Sequence, residues 1–268
     1  MTTAITSYDD KLAEMAQRYS ATHAASSGAQ FVSTKSGVFS VGDTPVAGNE
    51  LIAVVVDSVL ENTYYKGKYD PDDRQPPVCY AFGREKADLA PHETMARHPE
   101  FFVPQSEDCA SCQWNVFGSA ETGRGKACQN RARLALLPAG MLVPEAPKSK
   151  NLVVEFYDDP QHFREAEIMT LKLSPTSVAE EWNKYVAMLA SQHRRPPLAF
   201  ITRIWIAPHP KHQFHVKFEM LEPLAEDLLG IVLERNEKEA VSIISAYQPP
   251  EEAAPQARGV IRGVRRQQ

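Results

Sequence analysis

Cys109 and Cys112 form a C-x2-C pair, Cys128 follows with fifteen residues between, and Cys79 lies upstream in PVCYAFG. The chain holds 4 cysteines, so these are all of them. A C-x2-C turn can aim two thiolates at one tetrahedral ion, and four sulfurs complete a closed structural zinc site. Zn2+ held by Cys79, Cys109, Cys112 and Cys128 is therefore the expected cofactor. His92 and His98, inside the same segment, could each replace Cys79, which would then be a small buried strand residue. A reducing cytoplasm, the expected compartment, disfavours a disulfide reading.

The same segment argues against catalysis. His98-x-Glu100 precedes the C-x-x-C and superficially matches the zinc deaminase signature. Only eight residues separate the two halves, however, and Asp108 rather than proline precedes Cys109. Four cysteine ligands also leave no coordination position open. No phosphate-binding GxxxxGK[ST] loop, dinucleotide GxGxxG or Gly-x-Ser-x-Gly elbow occurs in the chain. A non-enzymatic protein is expected.

Around the thiols, aromatic and cationic residues interleave. Trp114, Phe117, Arg124, Lys126, Arg131 and Arg133 follow Cys112, opposed only by Glu121. YYKGKY contributes Tyr64, Tyr65, Lys66 and Lys68, and CYAFGREK contributes Tyr80, Phe82 and Arg84. Single-stranded nucleic acid needs flat apolar faces for its bases and nearby cations for its phosphates. These thirteen residues are the candidate contacts, each aromatic competing with a role in core packing. The formal net charge is −5, so such a surface must be a local patch.

The elements that would position these residues are mostly strands. FVSTKSGVFSVGD, ELIAVVVDSVLENTYYKG, PVCYAFG, ARLALLP, EIMTLKLS, LAFITRIWIA and QFHVKFEML are β-branched or aromatic runs between turn residues. They predict seven or eight strands. Helical spacing of apolar residues marks 8–19, the stretch SVAEEWNKYVAMLASQ with Thr176 or Ser177 as N-cap, and Leu224–Ile244. The expected fold is a β-dominated α+β chain, an OB-like β-barrel with an inserted zinc-binding loop and additional helices. Its expected organisation is a helix and linker at 1–30, the nucleic-acid-binding domain at 31–247 with its zinc loop at 83–131, and a disordered basic tail at 248–268. No apolar run approaches a membrane span, so no membrane partner is expected.

CASCQWNVFGSAETGRGKACQNRARLALL, set among such strands, resembles the replication-module proteins of tailed phages. It is similar, more distantly, to their zinc-containing single-stranded DNA-binding proteins. The likeness spans roughly Gly48 to Ala207, with the four cysteines as its most specific positions. It implies a non-enzymatic protein that coats or protects single strands during phage DNA replication or recombination. Single-stranded DNA would be the ligand, with RNA and replication or recombination proteins as further partners. The rival expectation is a zinc-stabilised structural or protein-interaction protein of a virion or replisome. The Arg-rich C-terminus departs from the acidic tail of many single-strand binders.

Overall fold

The computed structural model describes residues 30–42, 44–67, 75–121, 124–244 and 246–249. The expected helix at 8–19, Lys68 and residues 250–268 of the expected tail lie outside the described residues. The strands begin with β1 (Gln30–Ser33), β2 (Ser40–Val41), β3 (Thr44–Pro45), β4 (Glu50–Tyr64) and β5 (Cys79–Gly83). They continue with β6 (Cys128–Pro144), β7 (Leu152–Phe156), β8 (Met169–Leu173), β9 (Phe200–His209) and β10 (Gln213–Pro223). The helices are α1 (Pro160–Glu165), α2 (Pro175–Ser177), α3 (Asn183–His193) and α4 (Glu226–Ser242), with a π-helical turn at Val178–Trp182 between α2 and α3.

All ten strands join one mixed sheet in the order β10-β9-β4-β6-β8-β1-β2-β3, with β5 on β4 and β7 on β6. The β1–β8 pair is parallel. The β-dominated α+β reading holds, but the expected barrel does not: among the described residues no pairing joins the two ends of this order. A helix occupies the gap instead. Trp182, Tyr185 and Leu189 share one buried cluster with Val32 of β1, Leu171 of β8 and Val216 of β10. Apolar burial against helical side chains thus takes the place of strand pairing, and truncating a ring such as Trp182 costs about 3–5 kcal/mol. The cap of this helical stretch is Ser174, whose side chain accepts the Ser177 N–H. It displaces the expected Thr176 or Ser177 because Pro175, with no N–H to lose, opens the first turn.

The sheet is covered on both faces. One cluster joins Ile52, Val54 and Val56 to Phe163 of α1 and to Leu228, Ile231 and Val232 of α4. The other joins Leu51, Ala53 and Val55 to the residues around α3. A register shift between Val55 and Asp57 then reverses the alternation. One extra residue in a strand sends every later side chain to the opposite face. Beyond it Val59 belongs to the first face, while Leu60 packs beside Cys109. That bulge decides which way Asn62 and Tyr64 point.

Candidate metal centre and nucleic-acid interface

Tyr64, the last residue of β4, pairs with Cys79 on one side and Cys128 on the other. Strand register thus delivers two thiols to one sheet end. A loop delivers the other two. The Cys109 N–H donates to Leu89 O at 2.8 Å, and Asp108 holds the C-x2-C turn by accepting from the Ser111 amide and hydroxyl at 2.7 and 2.8 Å. Asn115 donates to Cys109 O at 2.7 Å and accepts from Lys126 Nζ at 3.0 Å. All four cysteines are free thiols and line one cavity with Asn62, Tyr64 and Asn115. Its volume is about 20 Å³, room for about one water-sized guest.

Burial pushes the Cys79, Cys109 and Cys128 thiols up, Cys128 to about 12 with its neighbouring cysteines adding to the effect. Against this, the Gln105 backbone favours the Cys79 thiolate and the Asn62 amide favours that of Cys109. Asn62 is only 3% exposed, and its Oδ1 accepts from Asn130 at 2.6 Å. Its Nδ2 lies beside the thiol without a geometrically complete hydrogen bond. A buried orphan donor is costly, and a metal-bound thiolate is the acceptor that would satisfy it. Donor chemistry and the orphan amide suit a zinc ion, but no three of the four sulfurs lie within 4.8 Å of one another, so the thiols would have to draw together to hold it. His92 and His98 do not line the cavity: His92 meets the Thr94 hydroxyl at 2.7 Å, and His98 lies 3.6 Å from Glu100. The thiols share this space at a wider spacing than a second donor group. Among the described residues, the His, Cys, Asp or Glu donors that converge within 4.8 Å are those of Glu180, His209 and His215, a possible metal-binding triad.

The thirteen expected nucleic-acid contacts separate by burial. Tyr64, Tyr80, Phe82 and Arg133 are buried, so they present no face to a ligand. Tyr80 and Phe82 pack in the core under the sheet beside Phe102 and Tyr247. Tyr64 stacks on Trp114 with ring centroids 4.9 Å apart, and Trp114 Nε1 donates to Gln105 Oε1 at 3.1 Å. Trp114 is half-buried, stacked on a ring that lines the cysteine cavity rather than standing free. Arg84 is exposed but ion-paired to Asp57, and Tyr65 is half-buried beside Tyr247. What remains at the loop end is Lys66, Phe117, Arg124 and Lys126, all exposed, with Phe117 at 71%. The loop beneath them is stitched by Gly118 N–H to Gly125 O at 2.7 Å and by Ser119 Oγ bonding to Trp114 O and Ala127 N. Arg131, held by Gln129, lines a separate hollow of about 480 Å³ with Lys172 and Lys211.

Arg133 belongs to a polar network that the sequence did not suggest. Its Nε and Nη2 donate to Glu61 Oε1 at 2.9 and 2.6 Å, Lys172 Nζ stands 3.0 Å from the same oxygen, and the Tyr247 hydroxyl donates to it at 2.7 Å. Burial pushes the Glu61 carboxyl up, but Lys172, then Arg133 and Tyr247, outweigh it and hold the group below its ordinary value. The guanidinium also lies over the Phe82 ring at 4.4 Å. Four side chains from distant parts of the chain thus meet at one carboxylate oxygen under the sheet, while Glu61 Oε2 is buried without a hydrogen-bond partner.

No helix among the described residues is long and apolar enough to cross a membrane. No family model matches the chain, and no curated protein or solved structure does so either.

Proposed function

We propose that this protein binds single-stranded DNA without catalysing a reaction on it, through the cysteine-anchored loop where β4 ends and β6 begins. One observation carries the reading: an aromatic ring 71% exposed shares a stitched loop tip with Arg124 and Lys126. Lys66 joins them because the register Tyr64–Cys128 sets the two chain exits side by side. A base can stack on Phe117 while the three cations neutralise phosphates. Zn2+ bound by Cys79, Cys109, Cys112 and Cys128 would pin the loop, so less freedom is lost when it meets a flexible strand. The setting, phage DNA replication or recombination in a host cytoplasm, rests on the sequence resemblance alone.

The test is fluorescence anisotropy with labelled oligo-dT at two salt concentrations. For the combined Lys66→Ala, Arg124→Ala and Lys126→Ala variant, the salt slope should fall by about 0.7 per lost phosphate contact. Phe117→Ala should weaken binding by about 1–3 kcal/mol. Folded variants that bind like the parent would overturn the reading. Exposed Val116 and Val103 beside Phe117 and Phe101 favour a second reading, a protein-docking surface. Its mark would be a partner interaction insensitive to salt.

A further inference from the structure

His209 ends β9 and His215 lies in β10, where Ala207 is the cross-strand partner of His215. Positions two apart on a strand share a face, so His209 and His215 lie diagonally on the same side of the hairpin. Their rings stack at 3.9 Å between centroids. The π-helical turn Val178–Trp182 contributes Glu180 and Glu181 to them. Single π-helical turns within helices occur frequently at functional sites. Here the two consecutive carboxylates hold different edges of His215. Glu181 Oε1 stands 3.3 Å from Nδ1 and from Lys217 Nζ, and Glu180 Oε2 stands 3.8 Å from Nε2. The same Glu180 oxygen is 3.9 Å from His209 Nε2.

The donor atoms of these groups point to what belongs between them. An ionised carboxylate only accepts, so His215 donates its Nδ1 hydrogen to Glu181. In the neutral ring that donation leaves the Nε2 lone pair for a ligand. His215 is 2% exposed, and Nε2 is buried without a hydrogen-bond partner. Nε2 therefore faces a carboxylate oxygen across 3.8 Å with no hydrogen bond between them. A cation can join two such groups, and the approach of a second imidazole, His209, to the same Glu180 oxygen makes the set a metal-ligand one. Carboxylate support of the far imidazole nitrogen is also the usual outer shell of a metal-binding histidine.

We propose that Glu180, His209 and His215 bind a first-row divalent transition ion of the zinc class, distinct from the cysteine centre. Two imidazoles and one carboxylate suit zinc, nickel or cobalt, whereas calcium and magnesium take oxygen ligands. Metal bonds to nitrogen and oxygen of about 2.0–2.2 Å place neighbouring donors roughly 3.3–3.6 Å apart. The two Glu180–histidine separations need to close by only a few tenths of an ångström, and all three donors already lie within 4.8 Å of one another. His209 is the ligand that moves. Its Nδ1 accepts a long 3.3 Å bond from the Lys211 amide, which leaves its proton on Nε2. Coordination through Nε2 shifts that proton to Nδ1, gives up the weak bond and turns the ring out of the stack. The bound ion ties the β9–β10 hairpin to the helical segment that fills the open side of the sheet.

The experiment uses the full-length chain without a histidine tag, titrated with Zn2+ and, separately, Co2+. Beyond any metal on the thiols, the parent should take up one further equivalent, whose Co2+ spectrum lacks sulfur-to-metal charge transfer, with a rise in melting temperature. Glu180→Gln and His209→Ala alter side chains with solvent access, so both variants should fold. Each should lose that equivalent and its thermal shift, while any thiolate-bound metal stays. Retained uptake in the double variant would overturn the assignment, and so would a parent that binds no ion of this type. The outcome is independent of the DNA-binding proposal, since neither residue lies in the cysteine loop.

Discussion

Replacing Arg133 by methionine separates a structural cation from a DNA-binding one. Arg133 is 3% exposed and Glu61 0%, and the guanidinium gives that carboxylate two hydrogen bonds. Removing one partner of a buried ion pair costs about 3–5 kcal/mol, because the other charge is stranded. Glu61 would keep Lys172 at 3.0 Å and the Tyr247 hydroxyl at 2.7 Å, which places the loss at the lower end. The lost contact over Phe82 adds to it, since a desolvated cation–π pair contributes about 2 kcal/mol, partly recovered by methionine packing. A total of about 3–4 kcal/mol should lower the melting temperature by roughly 6–16 °C in a chain of this size. Thermal and urea melts measure it, with Glu61→Gln and the double variant closing a cycle. The double variant should be less destabilised than the sum of the single changes, since the stranded charge is gone. Below its melting temperature, Arg133→Met should bind oligo-dT like the parent. A melting temperature within about 2 °C of the parent, together with lost DNA binding, would refute the buried-pair argument.

Further expectations address other parts of the molecule. Cys128→Ser should abolish thiolate-bound zinc and raise hydrogen exchange in the segment 105–127, while α3 and α4 stay protected. Gly140→Ala places a Cβ 2.7 Å from the Glu155 carbonyl oxygen and 3.0 Å from an Ile52 methyl, so overpacking should cost about 1–3 kcal/mol in a urea melt. Glu61 has a depressed folded-state pKa, so its contribution is full above the ordinary 4.5 and is lost as pH falls through the lowered value. Melts across pH 6 to 3 should therefore show a steeper decline for the parent than for Glu61→Gln. Trp114→Ala, by removing the stack on Tyr64 and the bond to Gln105, should destabilise the loop by about 1–2 kcal/mol. Loss of DNA binding without that destabilisation would show that the ring contacts bases instead.

The local elements were legible because side-chain period is a local property. ELIAVVVDSVLENTYY reads as a strand and becomes β4, and the apolar spacing of Val178, Trp182, Tyr185 and Leu189 marks the helical stretch that includes α3. β7 escaped notice, being short and largely solvent-facing. The C-x2-C pair announces its chemistry by spacing. That Cys79 and Cys128 should flank Tyr64 depends on strand register, which joins residues far apart in the chain. Register also decided the candidate surface. Tyr80, Phe82 and Arg133 have the residue types of a nucleic-acid contact, but the sheet face covered by α1 and α4 buries them. Composition cannot tell a stacking ring from a core ring, because both are apolar and flat. His209, His212 and His215 gave a signal that could have been read, three of the chain's 8 histidines within seven residues. Only the turn between β9 and β10 and the π-helical turn across from it bring two of them to Glu180. The sequence by itself determined which segments alternate and which side chains can bind a metal or a phosphate. Tertiary structure decided which of them meet and which face water, because both depend on pairings between distant segments that no local pattern encodes.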